Sequence, residues 1–362
     1  MSFDLGNKLR ISVFGASHGP AVGVVMEGLP AGEYIDADRL QAFMDRRRPG
    51  QSDLTTPRKE ADMPQILSGL KGEVTCGSPL TAVIYNTDTR SKDYDKMIDV
   101  PRPGHADYTA WVKWGGQADM RGSGCFSARL TAPLCIAGGI AGQLLARCGV
   151  YTGAHLAQVG TVKDEPFPLL PQKELFERLA QKPLAVISDA AGEKMAATIR
   201  EAAAQLDSVG GVVEGAAIGL PAGLGGPLFG GVEGRMAQAL FGIPGVKGVD
   251  FGAGFGAAEM RGSCHNDPFY YNERGEAVTA TNHSGGILGG ITNGMPLVMR
   301  AALKPTSSIG IEQQSISLSG KCAAPLTVTG RHDPCIAVRA VPVVEAVMNI
   351  VLLDMMLEEG VF

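Results

Sequence analysis

Residues 127–149 read SARLTAPLCIAGGIAGQLLARCG, a run of small and apolar residues with no polar face. A helix at a protein surface keeps a polar stripe, so this segment reads as a helix buried on all sides. A second apolar run, VVEAVMNIVLLDMML (343–357), carries Glu345 and Asp354. Those charges make it a C-terminal core helix rather than a membrane span. Working outward, IDADRLQAFMDRRRPG (35–50) reads as a helix capped near Asp36 and stopped by Pro49-Gly50, with its arginines at the C-terminal end. PQKELFERLAQK (171–182) and EKMAATIREAAAQLD (193–207) have the pattern of amphipathic surface helices. Strands are expected at PLTAVIYNTDT (79–89) and PLVMRAALKP (296–305), and a glycine-interrupted strand pair at VGGVVEGAAIGLPAG (209–223).

The totals bound the class. At 362 residues, 45% hydrophobic and 19% charged, the chain is a folded globular protein with a substantial core. A net charge of −5 provides no basic field for nucleic acid or an anionic membrane. The 49 glycines are roughly twice ordinary usage, which suits loops wrapped around a ligand. Seven cysteines without a CxxC pair support neither a disulfide framework nor a zinc site, and no metal motif occurs. The N-terminus lacks the pattern of a signal peptide, so a cytoplasmic location is expected. Two echoes, GLPAG at 28–32 and 219–223 and RGS at 121–123 and 261–263, have different separations. The whole chain, 1–362, reads as one unit with internal pseudo-symmetry.

The chemistry concentrates in loops. Of six histidines, His18 (GASHG) and His105 (PRPGHADYT, 101–109) are each hinged on glycine near a serine or an arginine. They are candidates for acid–base work, against the alternative of polar residues in tight turns. Arg102, Arg129, Arg331 and Arg339 sit in glycine, proline and apolar surroundings, where a guanidinium needs an anion. Arg46, Arg47 and Arg48 could equally complement a helix C-terminus. NHSGGILGGITNG (282–294) and LKPTSSI (303–309) are candidate phosphate cradles, although the first matches neither nucleotide fingerprint. The residues alone lead to an enzyme that binds a small polyanion and uses histidine acid–base groups.

Taken in order, GASHG, EGLPAG, DRRRPG, NTDTRSKDY, RPGHADY, GLPAGLGGPLF, VKGVDFG, NHSGGILGGITNG, ALKPTSSI and GRHDPCIAVRAVP resemble the chorismate synthase family, from residue 15 to about 345. The resemblance implies an α+β fold, a β-α-β sandwich of two pseudo-symmetric αβ lobes, assembled as a homotetramer. It implies 1,4-anti elimination of phosphate from 5-enolpyruvylshikimate 3-phosphate to give chorismate, the last step of the shikimate pathway, with reduced FMN as cofactor. It places His105 as the acid for the departing phosphate, His18 as the residue controlling protonation of the reduced flavin, and Asp333 as the group assisting proton removal. Ser17 and Ser127 would support them. FMN would meet Cys125, Phe126, Ser127, Pro244, Gly245, Gly289, Lys304, Pro305, Thr306, Ser307, Ser308 and Arg331. The substrate's anions would meet Arg48, Arg102, Arg129 and Arg339.

Two departures from the family pattern stand out. Cys125-Phe126 replace the Arg-Ser that many members carry before Ser127-Ala128-Arg129. Asp53 stands at or next to the position where many members place an arginine associated with NADPH. With Arg47 and Arg48 the remaining candidates there, NADPH is expected only as an indirect reductant, through an external flavin reductase. The rival readings are an electron-carrying flavoprotein and a flavin-free phosphosugar lyase.

Overall fold

A computed structural model describes residues 3–50, 52–56, 60–87, 99–328 and 333–362. Two five-stranded antiparallel sheets enclose a layer of helices. The first sheet runs Asp4–Leu5, Arg10–Gly15, Ala21–Glu27, Leu80–Tyr85, Gln65–Ser68. The second runs Val246–Phe251, Leu297–Leu303, Gly211–Ile218, Tyr151–Val159, Val162–Lys163. Between them lie the helices Thr131–Arg147 and Ala337–Glu359, the two apolar runs of the sequence, packed on each other. The helical run Arg121–Arg147, which ends in the first of these, and the helix Ala337–Glu359 are long and apolar enough to cross a membrane, and both are mostly buried here. Their contact is close: a Cβ on Gly138 would lie 2.3 Å from the Cα of Ala346. Helices Lys173–Gln181 and Asp189–Ala204 pack near the Tyr151–Val159 strand, each with one buried apolar side.

The two halves share one topology. In each, the middle strand leads through GLPAG into a helix, Ala37–Arg47 or Val232–Phe241. Next come the strand Gln65–Ser68 or Val246–Phe251, its inner neighbour Leu80–Tyr85 or Leu297–Leu303, and then a long core helix. The GLPAG echo is therefore structural. Gly28 (φ +87°) and Gly219 (φ +78°) open equivalent turns, and a Cβ on either would strike a backbone carbonyl, of Lys8 or Gly149. Only glycine is comfortable there. The Pro-Gly pairs 49–50 and 244–245 are a further echo, standing at the same offset as the helix starts, 37 and 232. The RGS echo is not equivalent: one copy precedes a core helix, the other follows the strand Val246–Phe251.

One expected element differs. Residues 209–223 form a single strand, Gly211–Ile218, rather than a pair. Its glycines mark close approach instead of a turn. A Cβ on Gly215 would sit 2.5 Å from Sδ of Met348 on the C-terminal helix.

Candidate active site

A cleft of about 520 Å³ opens where equivalent segments of the two halves converge. One half contributes Arg47 and Pro49 with the 102–106 and 122–129 loops; the other contributes 241–247, 304–308, Asp333, Ile336 and Arg339. Both core helices begin at this cleft, since Ser127–Arg129 and Ile336 line it just before Thr131 and Ala337. Two helix N-termini thus point positive dipole ends at one cavity, which favours anions.

His105 is held by a buried carboxylate. Its Nδ1 lies 2.7 Å from Oδ1 of Asp107 and 3.1 Å from Nη2 of Arg102. Arg102 grips Asp107 with both ends of its fork, Nε to Oδ2 and Nη2 to Oδ1, each at 2.7 Å. It also donates to the hydroxyls of Ser123 and Ser308, each at 3.1 Å. Burial, with help from Arg102 and Lys304, pushes the His105 pKa below the ordinary imidazole value despite its bond to Asp107. Burial opposes ionisation of Asp107, but the hydrogen bonds from Arg102 and His105 outweigh it and hold the carboxyl well below the usual range. The loop is tied across the cleft as well: Lys304 Nζ and Ser307 Oγ both donate to the carbonyl of Gly104.

The arginines of the cleft are charge-matched. Arg47 donates to Asp62 at 2.6 Å, to Thr131 at 3.0 Å and to the carbonyl of Ala128 at 3.0 Å. Arg129 pairs with Glu60 at 2.6 Å and with Asp62, and donates to Asn86. Although Asp62 is buried, Arg47 and Arg129 keep its pKa below the usual range. Arg339 donates at 2.8 Å to Asp333, whose other oxygen accepts from the Thr56 N–H at 2.8 Å. Among the described residues lining the cleft, Lys247 and Lys304 are the cations without a carboxylate partner, and their mutual repulsion, after burial, lowers the Lys304 pKa. These two lysines and the twin helix ends give the cleft positive charge that no carboxylate among its described lining residues offsets.

Several sequence expectations change. Arg48 does not line the cleft; it pairs at the surface with Asp45 at 3.3 Å, and of these two neighbours it is Arg47 that lines the cleft. Gly289 lies in the turn of the hairpin Ile287–Thr292, which packs against Gly226 and Gly231, away from the cleft. No residue of 282–294 lines this cleft. His18 stands behind the wall: a Cβ on Gly122 would lie 1.7 Å from its Nδ1, so the ring fits only against glycine. Ser17 and Ser127 do line the cleft. Arg331 and His332, with 88–94 of NTDTRSKDY, lie outside the described residues. Asp53 pairs with Arg200 at 2.7 Å, so the charge read as repelling NADPH is offset. The residues that sequence reasoning missed are Asp107, Glu60, Asp62 and Lys247.

The cofactor segment has the donor set FMN would need. Lys304, Thr306, Ser307 and Ser308 offer an ammonium and three hydroxyls, while Phe126, Ile243, Pro244 and Ile336 give an apolar wall. Phe126 packs on Trp114 with ring centroids 5.6 Å apart, and burial raises the Cys125 pKa, keeping that thiol neutral. In the adjacent wall Gly122, Ser123 and Gly124 all have positive φ, at 59°, 74° and 53°. For Ser123 this is a strained conformation, and the Arg102 hydrogen bond helps to hold it.

A histidine–carboxylate pair beside unmatched positive charge is an arrangement suited to an enzyme that acts on a small anion. The family model for chorismate synthase matches residues 9–357. A chorismate synthase of Dehalococcoides mccartyi is 44% identical over 362 residues, spanning 100% of this chain and 98% of that protein. One from Methanosarcina acetivorans is 44% identical over 355 residues, spanning 98% and 96%. A crystal structure of chorismate synthase matches with a TM-score of 0.77 at 27% identity, over 98% of this chain and 93% of that one. The chain belongs to the chorismate synthase family. It is accordingly a lyase of aromatic amino acid biosynthesis with the family's two-sheet sandwich fold.

Proposed function

We propose that the chain acts as a single domain, 1–362, and eliminates phosphate from 5-enolpyruvylshikimate 3-phosphate to give chorismate, using reduced FMN. The observation that carries this reading is the His105–Asp107–Arg102 cluster, set in a cleft with two helix N-termini and two unmatched lysines. A substrate with one phosphate and two carboxylates suits that field. Its dianionic phosphate raises the affinity of His105 for a proton, opposing the effect of burial. His105 then delivers that proton to the departing phosphate oxygen. Asp333, oriented by Arg339 and Thr56, assists removal of the substrate proton. Arg102, Arg129 and Arg339 position the anions, Ser17 and Ser127 support them, and His18 holds a proton from behind Gly122. A C–H and a C–O bond break and one C=C forms, with no net redox change. The chemistry drawn from reduced FMN is transient electron donation that eases loss of phosphate. Lys304, Pro305, Thr306, Ser307, Ser308, Cys125, Phe126, Ser127, Pro244 and Gly245 would hold it.

The source of electrons is external in this reading. Arg47 is paired with buried Asp62 and Arg48 with Asp45 at the surface, so a nucleotide phosphate would compete with a carboxylate at either one. Arg200 offsets the charge of Asp53, which therefore does not itself repel the nucleotide. Turnover is expected with dithionite-reduced FMN and none with NADPH plus FMN in air unless a flavin reductase is added; robust activity from NADPH and FMN alone would refute this. The apolar side chains of Leu228, Phe229 and Phe255, 85%, 96% and 86% exposed, support self-association, which the homotetramer implied by the family resemblance would supply. A cytoplasmic location fits an enzyme on a soluble, charged substrate.

A further inference from the structure

Resting on the acid role given to His105 above, we propose that Asp107 is a positioning residue for the elimination. It fixes His105 with its proton on Nδ1 and so presents Nε2 to the leaving phosphate. The geometry leaves little choice. Oδ1 of Asp107 lies 2.7 Å from both His105 Nδ1 and Arg102 Nη2, while Oδ2 accepts from the Arg102 backbone N–H at 3.0 Å and from its Nε at 2.7 Å. An ionised carboxylate only accepts, so Nδ1 must donate. Arg102 Nη2, 3.1 Å from Nδ1, has other acceptors for its two protons in Asp107 Oδ1 at 2.7 Å and Ser123 Oγ at 3.1 Å, so Nδ1 need not accept from it. Among the described residues no protein hydrogen bond engages Nε2, and His105 lines the cleft. The ring nitrogen that carries the proton to and from a ligand is thereby selected by its partner on the other nitrogen.

The same geometry states what an amide would do. An asparagine must turn an NH2 towards one side of the 107 position. On the Oδ2 side it would face two fixed donors of Arg102, neither of which can become an acceptor. On the Oδ1 side it faces Arg102 Nη2 and an imidazole that can switch its tautomer. Asp107→Asn therefore moves the His105 proton to Nε2, and a neutral Nε2–H is too weak an acid to serve as the proton donor. Asp107→Glu keeps the carboxylate and with it the original tautomer.

The experiment is 15N-detected NMR of the histidine side chains in the full-length protein, with His105 assigned by substitution, together with steady-state kinetics under reduced FMN. The wild type should show the neutral Nδ1–H tautomer, and Asp107→Asn the Nε2–H tautomer. Asp107→Asn should lower kcat about ten- to a hundred-fold, in the range seen when the outer partner of a functional histidine is lost, with KM changed far less. Asp107→Glu should restore the tautomer and most of kcat. A wild-type proton already on Nε2, or an unswitched tautomer in a folded Asp107→Asn, overturns the positioning role. A switched tautomer with undiminished kcat overturns instead the acid role of His105. The wild-type spectrum alone decides the first question if the asparagine variant does not fold.

Discussion

His105→Ala is expected to lower kcat by about 10²-fold or more, the usual worth of a general acid, while KM changes little. The reasons lie in the partners of the ring. Alanine removes the donor but leaves the Arg102–Asp107 fork, the Ser123 and Ser308 bonds and the Lys304 tie to Gly104, so the loop keeps its shape. The anion cradle is then intact and the proton is missing. The pH dependence carries a signature of the same residue. Burial, Arg102 and Lys304 hold the His105 pKa below the ordinary value, so the free protein carries it neutral near pH 7. If the protonated form is the working acid, kcat/KM, which reports the free enzyme, falls as pH rises through that lowered pKa. The limb in kcat, which reports the complex, lies at higher pH because the bound phosphate favours the imidazolium. Coincident limbs in kcat and kcat/KM, or a near-wild-type kcat in His105→Ala under saturating reduced FMN, would contradict the assignment.

Asp333→Asn should cost about 10²-fold in kcat as well, and here the departing hydrogen gives the readout. The carboxylate accepts from Arg339 and from the Thr56 N–H, one oxygen each, and its own carbonyl accepts from Thr306 Oγ1 at 2.8 Å. An amide fills the same space but must turn its NH2 towards one of those two donors, and it can take up no proton. Proton removal then becomes the slow step, so a deuterium isotope effect at the departing hydrogen should grow in the variant. Wild-type kcat and an unchanged isotope effect in the Asp333→Asn enzyme would leave Asp333 as an anchor for Arg339 only.

Local signals carry much of the fold. The cap at Asp36 and the Pro-Gly stop bracket the helix Ala37–Arg47, and unbroken apolar runs mark the two core helices. The strand at 211–218 misleads because glycine marks both turns and close helix contacts, and only the packing of Met348 distinguishes them. The choice between Arg47 and Arg48 is open to the sequence: Leu40, Met44 and Arg47 follow helical spacing and are all buried, which puts Arg47 on the inward face. Asp107 is visible two residues from His105 within the quoted motif, and a carboxylate that close to a candidate acid invites pairing. Glu60 and Asp62 are not legible. Their meaning comes from Arg47 and Arg129, brought from distant parts of the chain into one buried network. Gly289 shows the converse, a glycine-rich loop whose backbone needs are met by the hairpin itself and by neighbouring glycines.

We propose that this cleft eliminates phosphate by acid–base chemistry with the flavin returned unchanged. A single anaerobic turnover tests it most directly, with the enzyme, one equivalent of chemically reduced FMN and 5-enolpyruvylshikimate 3-phosphate, following phosphate, chorismate and flavin absorbance together. One phosphate and one chorismate per substrate are expected, with reduced flavin at the end as at the start and no product with oxidised FMN. Product formation matched by stoichiometric flavin oxidation, or phosphate release that proceeds equally well without reduced FMN, would contradict it.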